Sequence, residues 1–133
     1  MPRNTDTLQI GLAIKAILSD SQALTSVIGE NKVFPVVAPE GTTFPFVLYG
    51  QTGIRETGTK DGLHDETTLV GLDVFSDKYQ SCVEASSAVR AALENYSGTV
   101  AGYDISDVTL DEAVDRYADG FYVKELTFAI TVE

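Results

Sequence analysis

"YDISDVTLDEAVDRYADGFYVKELTFAITVE", residues 103–133, reads as two long strands joined by a tight turn. Leu126, Phe128, Ile130 and Val132 recur at every second position, which is the period of a strand with one face against a core. Asp119-Gly120 stands between the two runs, and such a pair is favoured in hairpins because both residues tolerate the left-handed backbone. The spacing therefore predicts strands over Tyr103 to Tyr117 and Phe121 to Glu133. If residues 107–119 form one unbroken strand, Asp107, Asp111, Asp115 and Asp119 project from one side, while Val108, Leu110 and Val114 take the core side. That acidic face is either a solvated outer surface or a patch that steers a partner or repels DNA.

Upstream lies a helix over residues 77–96. Tyr79, Cys82, Ala85, Ser86, Val89, Ala92, Leu93 and Tyr96 share one side of it, Ser76 caps it and Ser97-Gly98 ends it. The small residues on that side let a helix sit close against a sheet. Before it, Thr68, Val70, Leu72 and Val74 alternate as a strand, with Asp73 and Phe75 on the other face. Residues 50–67, "GQTGIRETGTKDGLHDET", hold four glycines and only two large aliphatics, so they read as a loop or the tip of a long hairpin. Loops of this length are commonly functional or disordered.

Residues 33–50, "VFPVVAPEGTTFPFVLYG", are apolar and yet broken by three prolines. Pro35 and Pro39 hold the chain extended over residues 33–40, and Gly41 allows a turn. Phe44, Phe46 and Leu48 then alternate with Pro45, Val47 and Tyr49 as a strand. Pro45 cannot donate to a ladder, so it puts that strand at a sheet edge or stands at its start. A short helix precedes this segment, with Asp20 or Ser21 as N-cap, Leu24, Val27 and Ile28 inside, and Gly29 as the stop.

The first helix, over residues 5–19, carries two apolar stripes. Ile10, Ala13, Ile14 and Ile17 form one, and Leu8, Leu12 and Ala16 fall on the opposite side, where a surface helix is ordinarily polar. The second stripe is either buried by neighbours within the domain, a few tolerated surface leucines, or a contact between subunits. The order helix, strand, strand, helix, strand, strand predicts a single α+β domain over residues 1–133. Two main helices pack on a largely antiparallel sheet of about four strands, with a long hairpin or loop.

Composition excludes several function classes. The 133 residues include twenty acids and nine bases, net charge -11, which lacks the basic footprint of nucleic-acid binding. Residues 104–133 alone hold eight acids and two bases. No run approaches the roughly 20 apolar residues of a membrane span. The apolar run from Leu8 to Leu18 is interrupted by Lys15 and is not followed by a cleavage pattern, so the expectation is an intracellular chain without a signal peptide. The single cysteine cannot form an internal disulfide.

Catalytic equipment is sparse. His64 is the only histidine and lies in the segment least suited to a preorganised site. Cys82 falls on the inner side of a helix, where a small buried thiol is the common finding. Asp111, Asp115 and Asp119-Gly120 are spaced four apart and do not fit the D-x-D-x-D-G loop that wraps calcium. The sequence has neither a glycine-rich phosphate loop nor a metal-ligand cluster, and predicts no enzyme and no cofactor.

One resemblance carries the functional reading. Asp20, Leu24, Val27, Gly29, Val33-Phe34-Pro35, Ala38-Pro39, Gly41 and Pro45-Phe46-Val47, then Asp73-Val74-Phe75-Ser76 and Ala88-Val89-Arg90-Ala91-Ala92-Leu93, resemble the tail-completion (tail-to-head joining, tail-terminator) proteins of long-tailed bacteriophages and prophages. These positions fall within residues 12–95. The resemblance implies a virion structural protein, assembled in the host cytoplasm as a ring, typically a hexamer. Such a ring caps the tail tube, ends its polymerisation and joins tail to head. It implies three partners: further copies of the chain, the tail tube protein and the head-tail connector protein. The expected oligomer or partner contacts are Leu8, Leu12, Ala16, Ile54, Arg55, Lys60 and Leu63, and Asp107, Asp111, Asp115 and Asp119 form a lumen or solvent face. The competing readings are a head-completion or connector protein, or a small binding or enzymatic domain using the cleft near residues 50–67.

Overall fold

The computed structural model describes residues 6–58 and 64–133. A 3-10 turn at Thr7–Gln9 leads into α1 (Gly11–Ser19) and α2 (Gln22–Ile28), followed by β1 (Val33–Pro35), β2 (Phe46–Gly58) and β3 (His64–Ser76). The chain continues through α3 (Tyr79–Leu93), β4 (Gly98–Val100), β5 (Tyr103–Ala118) and β6 (Phe121–Val132). One sheet contains all six strands in the order β1-β2-β3-β6-β5-β4. Every neighbouring pair is antiparallel except β1 with β2.

The α+β class and the four long antiparallel strands agree with the sequence reading. The strand count does not, because β1 and β4 add a three-residue strand at each edge. Three residues are too short to display a period, so no pattern announces them.

Cross-strand register assigns the two faces, since residues directly opposite one another point the same way. Leu126, Phe128, Ile130 and Val132 stand opposite Leu72, Val70, Thr68 and Glu66 of β3. With Val47, Val74, Val108 and Ile105, the buried members of this face form the core, closed over by Ile10, Ala13, Ile14, Ile17, Leu18, Leu24, Cys82, Ala85, Val89 and Leu93 of the helical layer. The opposite face of the sheet carries no helix.

Helix ends follow local chemistry. The Ser21 hydroxyl caps α2 by accepting from the Leu24 amide at 3.2 Å, which decides between the two expected caps. Ser76 accepts from the Lys78 amide, but the N-cap position of α3 belongs to Lys78, whose side chain caps nothing. That helix ends at Leu93, before the expected Tyr96, because Asn95 adopts a φ of 65° and its amide donates to the Val108 carbonyl.

Extended structure from Val33 stops short of the expected residue 40, at Pro35, where Val36 takes a φ of 64° and turns the chain away. Pro45 stands just before β2, after a cis Phe44-Pro45 bond, which decides between its two expected placements: it marks the start of the strand, and β2 is interior, with β1 as the edge. Of the two readings of residues 50–67, a loop or the tip of a long hairpin, the hairpin holds: β2 and β3 stay paired from Phe46↔Phe75 out to Gly58↔His64, interrupted by a bulge between Gln51 and Gly53. Backbone pairing is indifferent to polarity, and β6 holds β3 in place from Glu66 inward.

Candidate functional site

The second stripe of the first helix faces outward. Leu8 is 69% exposed and Leu12 58% exposed, with Ala16 beside them also exposed, which removes burial inside the domain as their explanation. Leu8 sits in the 3-10 turn rather than in α1, and Gln51 of β2 ties that turn to the sheet by donating to the Thr7 carbonyl at 3.2 Å. Ile54 and Arg55 are exposed on opposite faces of β2, with Ile54 on the helix side. Lys60 and Leu63 lie outside the described residues.

The four aspartates do not share a face. The ladder between β5 and β6 slips between Ile105 and Asp107 and again between Leu110 and Glu112, and each bulge inverts the side-chain parity that follows. Asp107, opposite Thr131, lies on the helix-free face. Asp111, at the second bulge, pairs with Arg55 at 3.3 Å. Asp115 has crossed to the helix side, where it stands opposite Lys124. There Lys124 Nζ donates to it at 2.8 Å and the Tyr79 hydroxyl at 2.9 Å, and these bonds hold its carboxyl below the ordinary value. Asp119 belongs to the turn, with a φ of 55°. The same inversion moves Val114 from the expected core side to the helix-free face, opposite Glu125.

Cys82 is buried and its Sγ donates to the Val74 carbonyl at 3.3 Å, while burial pushes the thiol up, so it is a packing group. Among the described residues, no group of three His, Cys, Asp or Glu is arranged to hold a metal ion.

A feature absent from the sequence reading is the helix-free face itself. Phe46 stacks on Phe75 at 4.9 Å between ring centroids and on Phe44 at 5.6 Å, and Phe121 closes the group at 5.6 Å from Phe44 and 5.8 Å from Phe75. The next row holds Leu48, Asp73, Glu125 and Val114, and the row after it holds Gly50, Gly71 and Thr127. These rows line a trough of about 400 Å³, with Glu112 and Arg116 on its far wall. Asp73 stands directly opposite Glu125. Partial burial raises its carboxyl above the ordinary value, and the Glu125 charge raises it further. Arg116 donates to Glu125. The alternation of Phe46 with Val47 and of Phe75 with Val74 is visible in sequence, but only register shows that the phenylalanines meet.

The family model for tail completion protein gp17 matches residues 12–133. The chain belongs to this family. The match runs through the β2–β3 hairpin and the last two strands, well beyond the positions that carried the sequence resemblance. Membership makes the chain a phage tail structural protein. A chain from the structure described as "Virion of native gene transfer agent (GTA) particle" is similar in fold, with TM-score 0.80 and 19% identity over 91% of this chain and 92% of that one. A second solved structure matches with TM-score 0.64 and 12% identity over 98% of this chain and 97% of that one. No curated protein matches the sequence. For this tail completion family member, the surfaces that carry function are those that meet other chains.

Proposed function

We propose that this tail completion protein assembles as a ring, a hexamer, on the end of a finished tail tube, where it stops polymerisation and offers a surface to the head connector. Family membership over residues 12–133 carries this reading. The exposed Leu8, Leu12 and Ala16 stripe supports it, since an apolar helix side left exposed among the described residues suits a contact between copies. Its partners are further copies of the chain, the tail tube protein and the head-tail connector protein. Assembly takes place in the host cytoplasm and the product is a component of the virion. Within such a ring, Asp107 and Asp111 are the candidates for an acidic lumen that lets DNA pass without holding it. The test is native mass of the purified protein alone and after addition to growing tails. A closed ring on tails of fixed length is the expected result, and tails that lengthen equally with and without the protein overturn it.

A further inference from the structure

The helix-free face combines two things in adjacent rows: a phenylalanine cluster and an acidic pair. The row Phe46, Phe75, Val123, Arg116 is followed two residues along the strands by Leu48, Asp73, Glu125, Val114, and then by Gly50, Gly71, Thr127, Glu112. Two residues of strand span about 7 Å, so the aromatic and acidic rows are one side-chain step apart. Gly50 and Gly71 face each other across the ladder, and neighbouring side chains take the space beside them: an added Cβ would come within 3.7 Å of Val36 at Gly50 and within 3.1 Å of Thr52 at Gly71.

We propose that this face docks an extended basic segment of a different protein, one that carries Lys or Arg side chains beside an aromatic or large aliphatic anchor. The anchor adds to the phenylalanine cluster, whose Phe44 is 38% exposed. The cation reaches Asp73 and Glu125. Charge selects this occupant. The trough carries Asp73, Glu112 and Glu125 against the single cation Arg116, and Arg116 is already engaged with Glu125. Asp73 and Glu125 stand directly opposite, an arrangement that works against the fold and that a docked cation would relieve. The inference names the chemistry of one partner and does not require the ring, whose native mass tests that reading separately.

The probe is the blocked peptide Phe-Thr-Lys-Thr-Lys, whose alternate positions put the anchor and the cations on one side of an extended chain, titrated into the full chain and followed by backbone amide shifts, with Phe-Thr-Glu-Thr-Glu as its counterpart. Saturable shifts at Leu48, Gly71, Glu125 and Thr127 with the basic peptide alone are expected. Asp73→Asn with Glu125→Gln should weaken binding roughly tenfold, the scale of two partly exposed ion pairs. Asp20→Asn with Glu30→Gln removes the same charge elsewhere and should leave binding unchanged. Asp73→Asn alone keeps the Arg116 to Glu125 contact and should show an intermediate loss. Equal loss in both double variants, no saturable binding, or self-association that shifts these same amides would each overturn the proposal.

Discussion

Asp73 shows how a single side chain can work against the fold it sits in. Its carboxyl is raised by partial burial and by Glu125, which stands opposite it. An acid whose folded pKa lies above its unfolded value contributes stability below the unfolded value and loses it as pH rises through the folded one. At neutral pH the ionised group is therefore a burden. Asp73→Asn should raise thermal stability at pH 7 by about 0.5 kcal/mol, a like-charge cross-strand pair discounted for solvent screening. The gain should shrink towards zero as pH falls into the carboxylate range, and thermal melts across pH 4 to 8 check it. A gain that grows on acidification would contradict the assignment. Asp73 was legible in sequence as a residue on the outer face of its strand. Its opposition to Glu125 was not, because cross-strand register depends on a strand fifty residues away.

At the scale of elements, α3 begins without a side-chain cap, since Lys78 holds the extended N-cap backbone but has no side-chain acceptor for the first-turn amides. Lys78→Asp should stabilise the protein by about 1 kcal/mol, supplying an acceptor for the orphan amides and a charge suited to the helix N-terminus. A chemical denaturation midpoint that does not rise would refute it. The β2–β3 hairpin gives a second test. Beyond Glu66, which pairs with Val132, β3 has lost β6 as a neighbour and only β2 accompanies it. Glu56 and Glu66 face each other, so replacing residues 57–65 with Asn-Gly gives a two-residue hairpin in register. That variant should keep its melting temperature within a few degrees, because a two-stranded ribbon adds little stability, and should fall in yield of finished tails. Normal tail completion would remove this hairpin from the contact surfaces. Removing Ile54 and Arg55 as well would be a different experiment, since they pair with Thr68 and Thr67 inside the sheet.

For the whole molecule, the helical layer is closed on its inner side and carries one exposed apolar stripe, Leu8, Leu12 and Ala16, among polar residues on its outer side. Leu8→Asp with Leu12→Asp changes exposed residues only, so the fold should remain cooperative and lose less than about 1 kcal/mol. Self-assembly and tail capping should fail, read by light scattering after size exclusion and by tail length in electron micrographs. Retained assembly would assign the stripe to tolerated surface leucines, and a variant that does not fold would make it part of the core.

The sequence by itself determined the α+β class, the core-facing residues Ile10, Ile14, Leu126, Phe128 and Ile130, the hairpin turn at Asp119-Gly120, and the family. The structural features are encoded locally, in a period of 3.6 or 2 or in a turn that demands particular backbone angles, and the family in the motif positions from Asp20 to Leu93. Tertiary structure alone decided the edge strands, the reach of the β2–β3 ladder, and the parity of the aspartates. Two bulges in β5 inserted extra residues that only its pairing with β6 reveals, and each moved every later side chain to the other face. The helix-free face arose the same way: Phe46, Phe75, Asp73 and Glu125 come from three strands, and pairing between distant segments is a property of the backbone that no local pattern of side chains records.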